Sequence, residues 1–77
     1  NRSSVDVKIS SAMPVSKINV ISLRDGSLLK NVDLSNRSYA NILTPKGMHE
    51  LEFVDKDGYV LERKQVIISD QKVTLSI

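Results

Sequence analysis

No cysteine occurs in this chain, so no disulfide can staple it and no thiolate can hold a metal or attack a substrate. Tryptophan is absent too, and one phenylalanine and two tyrosines are the only aromatic side chains. That is poor material for stacking sugars or bases, since each stacked ring needs an aromatic face. The single histidine, His49, leaves any zinc site to be built from carboxylates, an unusual donor set for that metal. No apolar run approaches the roughly 18 residues that span a bilayer. Eleven basic residues against nine acidic ones give a net charge of +2, with no long block of either sign. Such a balance lacks the footprint of a nucleic-acid or anionic-lipid binder. Glycine and proline are sparse, at three and two residues, so each one marks a turn worth locating.

What is present reads as β structure. The 77 residues are one domain's length, which predicts a single domain over residues 1–77. A chain this short buries only about 60–65% of its unfolded surface, so its core is thin. It opens at Asn1 and not at Met, which predicts a processed or excised piece of a longer protein. Asn1 to Ser4 is polar and reads as a frayed end. Val5, Val7 and Ile9 then alternate with Asp6, Lys8 and Ser10, the period of a half-buried strand. Ser11 to Ser16 contains Pro14 and reads as a loop or a corner between sheets. Lys17 to Leu23 is a strand in which consecutive Val20-Ile21 breaks alternation, implying a bulge or cover on both faces. Arg24-Asp25-Gly26-Ser27 reads as a hairpin turn. Leu28–Leu34 and Tyr39–Leu43 follow as weaker strands, separated by polar Ser35–Ser38.

The segment from Pro45 to Tyr59 carries the strongest signal. Pro45 to Gly47 can set a tight turn, because proline fixes φ and glycine tolerates positive φ. His49, Leu51 and Phe53 alternate with Glu50 and Glu52, placing the carboxylates on the opposite face. Asp57-Gly58 predicts a type I′ hairpin. Tyr59–Ile68 is a long strand, and Val73, Leu75 and Ile77 alternate in the last one after a Ser69-Asp70-Gln71 turn. About seven strands at intervals of roughly 8–12 residues, with no capped 3.6-residue period anywhere, predict an all-β fold. The expected architecture is a small Ig-like or prealbumin-like β-sandwich of about seven antiparallel strands.

Reactive chemistry is hard to find. His49 shares its face with Leu51 and Phe53 at a strand's rim, and its local sequence supplies no nucleophile or second imidazole. No Gly-x-Ser-x-Gly elbow accompanies the serines. Asp55-Lys56-Asp57-Gly58 looks like a calcium loop, but placing Gly58 at the sixth position sets Phe53 first and Lys64 twelfth, and neither coordinates calcium. Asn1-Arg2-Ser3 and Asn36-Arg37-Ser38 fit the glycosylation sequon, which matters only in a eukaryotic secreted protein. The expectation is a non-enzymatic domain with no catalytic residue, no metal and no cofactor. Glu62, Arg63, Lys64 and Gln65 interrupt the Tyr59–Ile68 strand with four long polar residues, so both faces are wet there. Such charges guard an edge strand, or a hairpin projecting past the body, against aggregation, or offer a partner a polar contact patch. These four are the candidate partner-binding residues.

The second half of the chain resembles a recurring module. Pro45-x-Gly47-x-His49-x-Leu51-x-Phe53, then Gly58-Tyr59, then alternating Val66/Ile68 and Val73/Leu75/Ile77, resembles the close of PEGA and carboxypeptidase-regulatory-like domains. Gly47 to Leu51 and Val54 to Gly58 are also similar to the C-terminal Ig-like domain of some class A penicillin-binding proteins. These resemblances imply a prealbumin-like sandwich. They also imply a non-catalytic accessory domain, a spacer or docking unit of a larger secreted or cell-envelope protein, located outside the cell or in the periplasm. Its partner would be a protein or a neighbouring domain of the parent chain, with no nucleic acid and no direct membrane insertion. The alternative is a carbohydrate-binding module, for which Tyr39 and Tyr59 would have to share one exposed face.

Overall fold

The computed structural model describes residues 2–77. They form a β-sandwich of seven strands, and there is no helix among the described residues. The strands are β1 (Arg2–Lys8), β2 (Lys17–Ser22), β3 (Leu28–Asp33), β4 (Tyr39–Pro45), β5 (Gly47–Val54), β6 (Val60–Ile68) and β7 (Val73–Ser76). A three-stranded sheet has the order β4-β1-β7, and a four-stranded sheet the order β3-β2-β5-β6. The all-β sandwich is the fold that alternation and turn spacing predict. One pairing departs from the antiparallel expectation: β7 runs parallel to β1, with Val5 opposite Val73 and Val7 opposite Leu75. Only long-range packing decides that pairing, because no hairpin joins the two strands.

The core forms where the inward rows of the two sheets meet. Val5, Val7, Ala40 and Ile42 come from the smaller sheet, and Ile18, Val20, Leu51, Phe53, Val66 and Ile68 from the larger. Phe53 is fully buried at the centre of this cluster, and Leu34 is buried just past the end of β3. Alternation carries through: β4 is buried at every second residue, with Ala40, Ile42 and Thr44 inward. Beside Val20-Ile21 the register of β2 against β3 shifts, with Leu29 of β3 as the extra residue of a bulge, while β2 itself alternates throughout.

Two local expectations are corrected, at the N-terminal end and at the Asp55–Gly58 turn. Arg2 to Ser4 does not fray but pairs with Pro45 to Leu43 at the start of β1, while Asn1, and with it the first sequon, lies outside the described residues. The tight turn expected at Pro45 to Gly47 is there, and it carries the chain from β4 in one sheet to β5 in the other. The Asp55–Gly58 turn is not type I′, which needs positive φ at both central residues. The Gly58 N–H donates to the Asp55 carbonyl (3.1 Å) and the Asp55 N–H to the Tyr59 carbonyl (2.9 Å). Gly58 has φ 91°, whereas Ser35 and Asn36 are the only non-glycine residues with positive φ among those described. This is a three-residue loop, a type I turn followed by a left-handed glycine.

Candidate functional site

Glu62, Arg63, Lys64 and Gln65 lie together on β6, which is an outer edge of the four-stranded sheet. Antiparallel pairing sets Glu62 opposite Phe53, Arg63 opposite Glu52, Lys64 opposite Leu51 and Gln65 opposite Glu50. Arg63 and Gln65 therefore belong to the outer face, Glu62 and Lys64 to the inner one. Arg63 is held on its own sheet, because its Nε–H donates to Glu52 Oε2 at 3.3 Å and lies 3.8 Å from Glu50 Oε1. Lys64 is exposed and has no ion pair among the described residues. An inward-facing lysine opposite a buried leucine stays wet because β6 is the last strand of its sheet and Lys64 is reached by solvent from the side. Of the four residues, Arg63 is braced and Lys64 is free, on an unpaired backbone edge.

A second polar cluster sits on the outer face of the smaller sheet, and sequence reasoning did not find it. Alternation puts Asp6 on that face, toward water, yet it is only 7% exposed. Tyr39 Oη–H donates to Asp6 Oδ1 at 2.8 Å and Asn41 Nδ2–H at 2.6 Å, while Lys72 Nζ lies 2.6 Å from Oδ2. β1 is the central strand here, so β4 supplies Tyr39 and Asn41 from one side and the approach to β7 supplies Lys72 from the other. The hydrogen bond from Lys72, with those from Asn41 and Tyr39, holds the Asp6 carboxyl down at about 2. The same contacts push Tyr39 and Lys72 up, since both are hydrogen-bonded to the Asp6 carboxylate. Every acceptor of Asp6 faces a donor from its own chain, which is how a structural ion cluster is built.

A cleft opens at one end of the sandwich between the β2–β3 loop and the Pro45–Gly47 crossing. Ser22, Asp25 and His49 all line it, which brings a hydroxyl, a carboxylate and an imidazole into one place. Their hydrogen bonds point elsewhere. His49 Nε2 lies 2.6 Å from the Pro45 carbonyl oxygen, and a carbonyl only accepts, so Nε2 carries the proton. Asp25 Oδ1 accepts from the Ser27 N–H (3.0 Å) and hydroxyl (2.7 Å), and this holds the carboxyl below its ordinary range. Ser22 Oγ accepts from the Arg24 N–H at 3.3 Å. His49 makes no hydrogen bond to Ser22 or Asp25, and the Ser22 hydroxyl is only the smallest of the contacts that lower the Asp25 carboxyl. His49 is 3% exposed; it shares the inward face with Leu51 and Phe53 near the start of β5, as alternation predicts, and ties the sheet crossing to β5.

Tyr39 lies over the outer face of the smaller sheet, and Tyr59 sits in the β5–β6 turn of the other. Among the described residues, no three His, Cys, Asp or Glu side chains gather as metal ligands, and no helix is long and apolar enough to cross a membrane. Comparison with protein-family models, with curated proteins and with solved structures finds no match to this chain.

Proposed function

We propose that this domain is a non-catalytic accessory unit, Ig-like or prealbumin-like, that spaces or docks a larger secreted or cell-envelope protein. It acts through protein–protein contacts, without nucleic acid, cofactor or insertion into a membrane. The observation that carries this reading is the β6 edge, where an unpaired strand presents Lys64 free beside Glu62, Arg63 and Gln65. An open edge offers main-chain groups to a partner, and fixed charges select among partners. The resemblance of the Pro45–Ile77 half to envelope accessory modules supports the setting. The sugar-binding alternative loses support, because Tyr39 and Tyr59 belong to different sheets and the Tyr39 hydroxyl is engaged by Asp6.

The test is charge reversal at the edge. Reversing Arg63 would crowd a third carboxylate against Glu50 and Glu52 and disturb the sheet itself. Lys64→Glu is the clean probe. Carried in the longer protein, it should weaken association with the neighbouring domain or partner while the melting temperature of the domain barely moves. Unchanged association would make the four residues a solubility device and the domain a passive spacer.

A further inference from the structure

The outer face of the four-stranded sheet is divided into two bands. At the cleft end, Leu28 stands opposite Ile21, the Leu23 N–H donates to the Met48 carbonyl, and Met48 stands opposite Ile67. Ile21 itself stands opposite Glu50, so the apolar strip formed by these five side chains steps through Leu23, just past β2, to reach Met48 and Ile67. Leu28 is 60% exposed, Met48 55% and Ile67 64%. The next band is polar: Asn31 Nδ2–H donates to Asn19 Oδ1 at 2.5 Å, Asn19 stands opposite Glu52, and Glu52 stands opposite Arg63. Isolated exposed apolar residues are ordinary, but a contiguous strip marks an interaction surface. This one does not stop short of the boundary; it runs out to the free β6 edge at Ile67.

A second copy of the chain fits that edge badly. Two-fold antiparallel pairing of a strand with itself must place some residue opposite its own copy, because opposed side chains share a face. Centred on Glu62, Arg63 or Lys64, the pairing sets like charges against each other. Centred on Gln65, it sets Arg63 opposite Ile67 and Lys64 opposite Val66, and centred on Val66 or Ile67 it overlaps only residues 64–68 or 66–68, because β6 ends at Ile68. A different strand has no such constraint.

Resting on the docking reading above, we infer that β6 accepts an extended segment of another protein as a fifth, antiparallel strand of the sheet. The segment has an apolar residue opposite Ile67, which lengthens the strip, and a carboxylate opposite Lys64, which pairs the one free cation of the edge segment. Main-chain hydrogen bonds along β6 supply affinity, and these two side-chain positions supply selectivity.

The experiment is an amide NMR titration of the domain with two capped seven-residue peptides. The first, Val-Val-Thr-Glu-Thr-Lys-Val, sets valine opposite Ile67 and glutamate opposite Lys64 in the antiparallel register. The second replaces that glutamate by lysine. The first should perturb amides of Leu61–Ile67 and bind roughly tenfold tighter than the second, as expected when an attractive edge pair becomes repulsive. Lys64→Glu should invert the preference, Lys64→Gln should level it, and Ile67→Asp should weaken both peptides, with thermal melts verifying each variant as folded. No perturbation at millimolar peptide, perturbation of another edge, or no inversion in folded Lys64→Glu would overturn strand addition. A free domain that sediments as a dimer with protected β6 amides would overturn it too. If the peptides fail while Lys64→Glu still weakens partner association, docking stands and strand addition falls. If the peptides bind but partner association ignores Lys64, the edge is competent and the docking reading falls.

Discussion

Replacing Gly58 by valine isolates the backbone term in the β5–β6 turn. A Cβ built on Gly58 meets nothing within 4 Å, so no steric clash with the rest of the fold enters the comparison. What remains is φ 91°, a conformation that L side chains rarely adopt and β-branched ones resist most. Left-handed backbone costs an L-residue about 1–2 kcal/mol, and strained positions reach about 3. For a domain of this size that corresponds to a fall in melting temperature of roughly 5–20 °C. Total stability on the order of 4–12 kcal/mol leaves the variant folded and measurable. Asp57 supplies the control. Its φ is not positive, and its side chain is exposed and free of hydrogen bonds among the described residues, so Asp57→Ala should stay within about 0.5 kcal/mol. Asp55 is the third member, since its Oδ1 accepts from the Asp57 and Tyr59 N–H groups, each at 2.9 Å. Asp55→Ala should cost about 1–2 kcal/mol for those two bonds. Urea unfolding at 25 °C with a common m-value reads all three. A neutral Gly58→Val, or an Asp57→Ala as costly as Gly58→Val, would refute the turn assignment.

Phe53→Ala removes the largest fully buried side chain and should cost about 3–5 kcal/mol, leaving the domain at the margin of folding in urea or thermal melts. The Asp6 carboxyl, at about 2 against its ordinary 3.8, binds protons less readily when folded. Its contribution is therefore complete above about 3.8 and is lost as pH falls toward about 2, which carboxyl NMR titration and unfolding at each pH will follow. Tyr39→Phe deletes one donor and should raise the Asp6 titration and move that acid loss to higher pH. His49→Gln should leave a folded domain whose Lys64-dependent association is intact; losing association with the fold preserved would give His49 a functional part.

Local sequence carries the strands well because a period of two and the Gly, Pro and Asp turns are local signals. Val20-Ile21 reads as a bulge or as cover on both faces, and the wet Glu62–Gln65 stretch as an edge strand or a projecting hairpin; the register shift beside Val20-Ile21 and the edge position of β6 decide between them. Which strands share a sheet is a different matter. Pro45-Lys46-Gly47 reads as a tight turn, and nothing in three residues says whether such a turn closes a hairpin or, as here, carries the chain between sheets. The β1–β7 pairing joins the two ends of the chain and has no local signature. Asp6 is hidden by the same logic: its alternation says solvent, and its shielding comes from Tyr39, Asn41 and Lys72, more than thirty residues away. The free state of Lys64 beside a braced Arg63 likewise depends on Glu50 and Glu52 across the ladder.

Amide hydrogen exchange of the domain, alone and with the proposed partner bound, tests the central claim most directly. Backbone N–H groups on an unpaired edge exchange quickly, and those recruited into a ladder are protected. The account predicts new protection confined to Val60–Ile68, with β3, the other edge of the same sheet, unchanged. Protection at β3 or β4 instead, or no change along β6 in the complex, would contradict it.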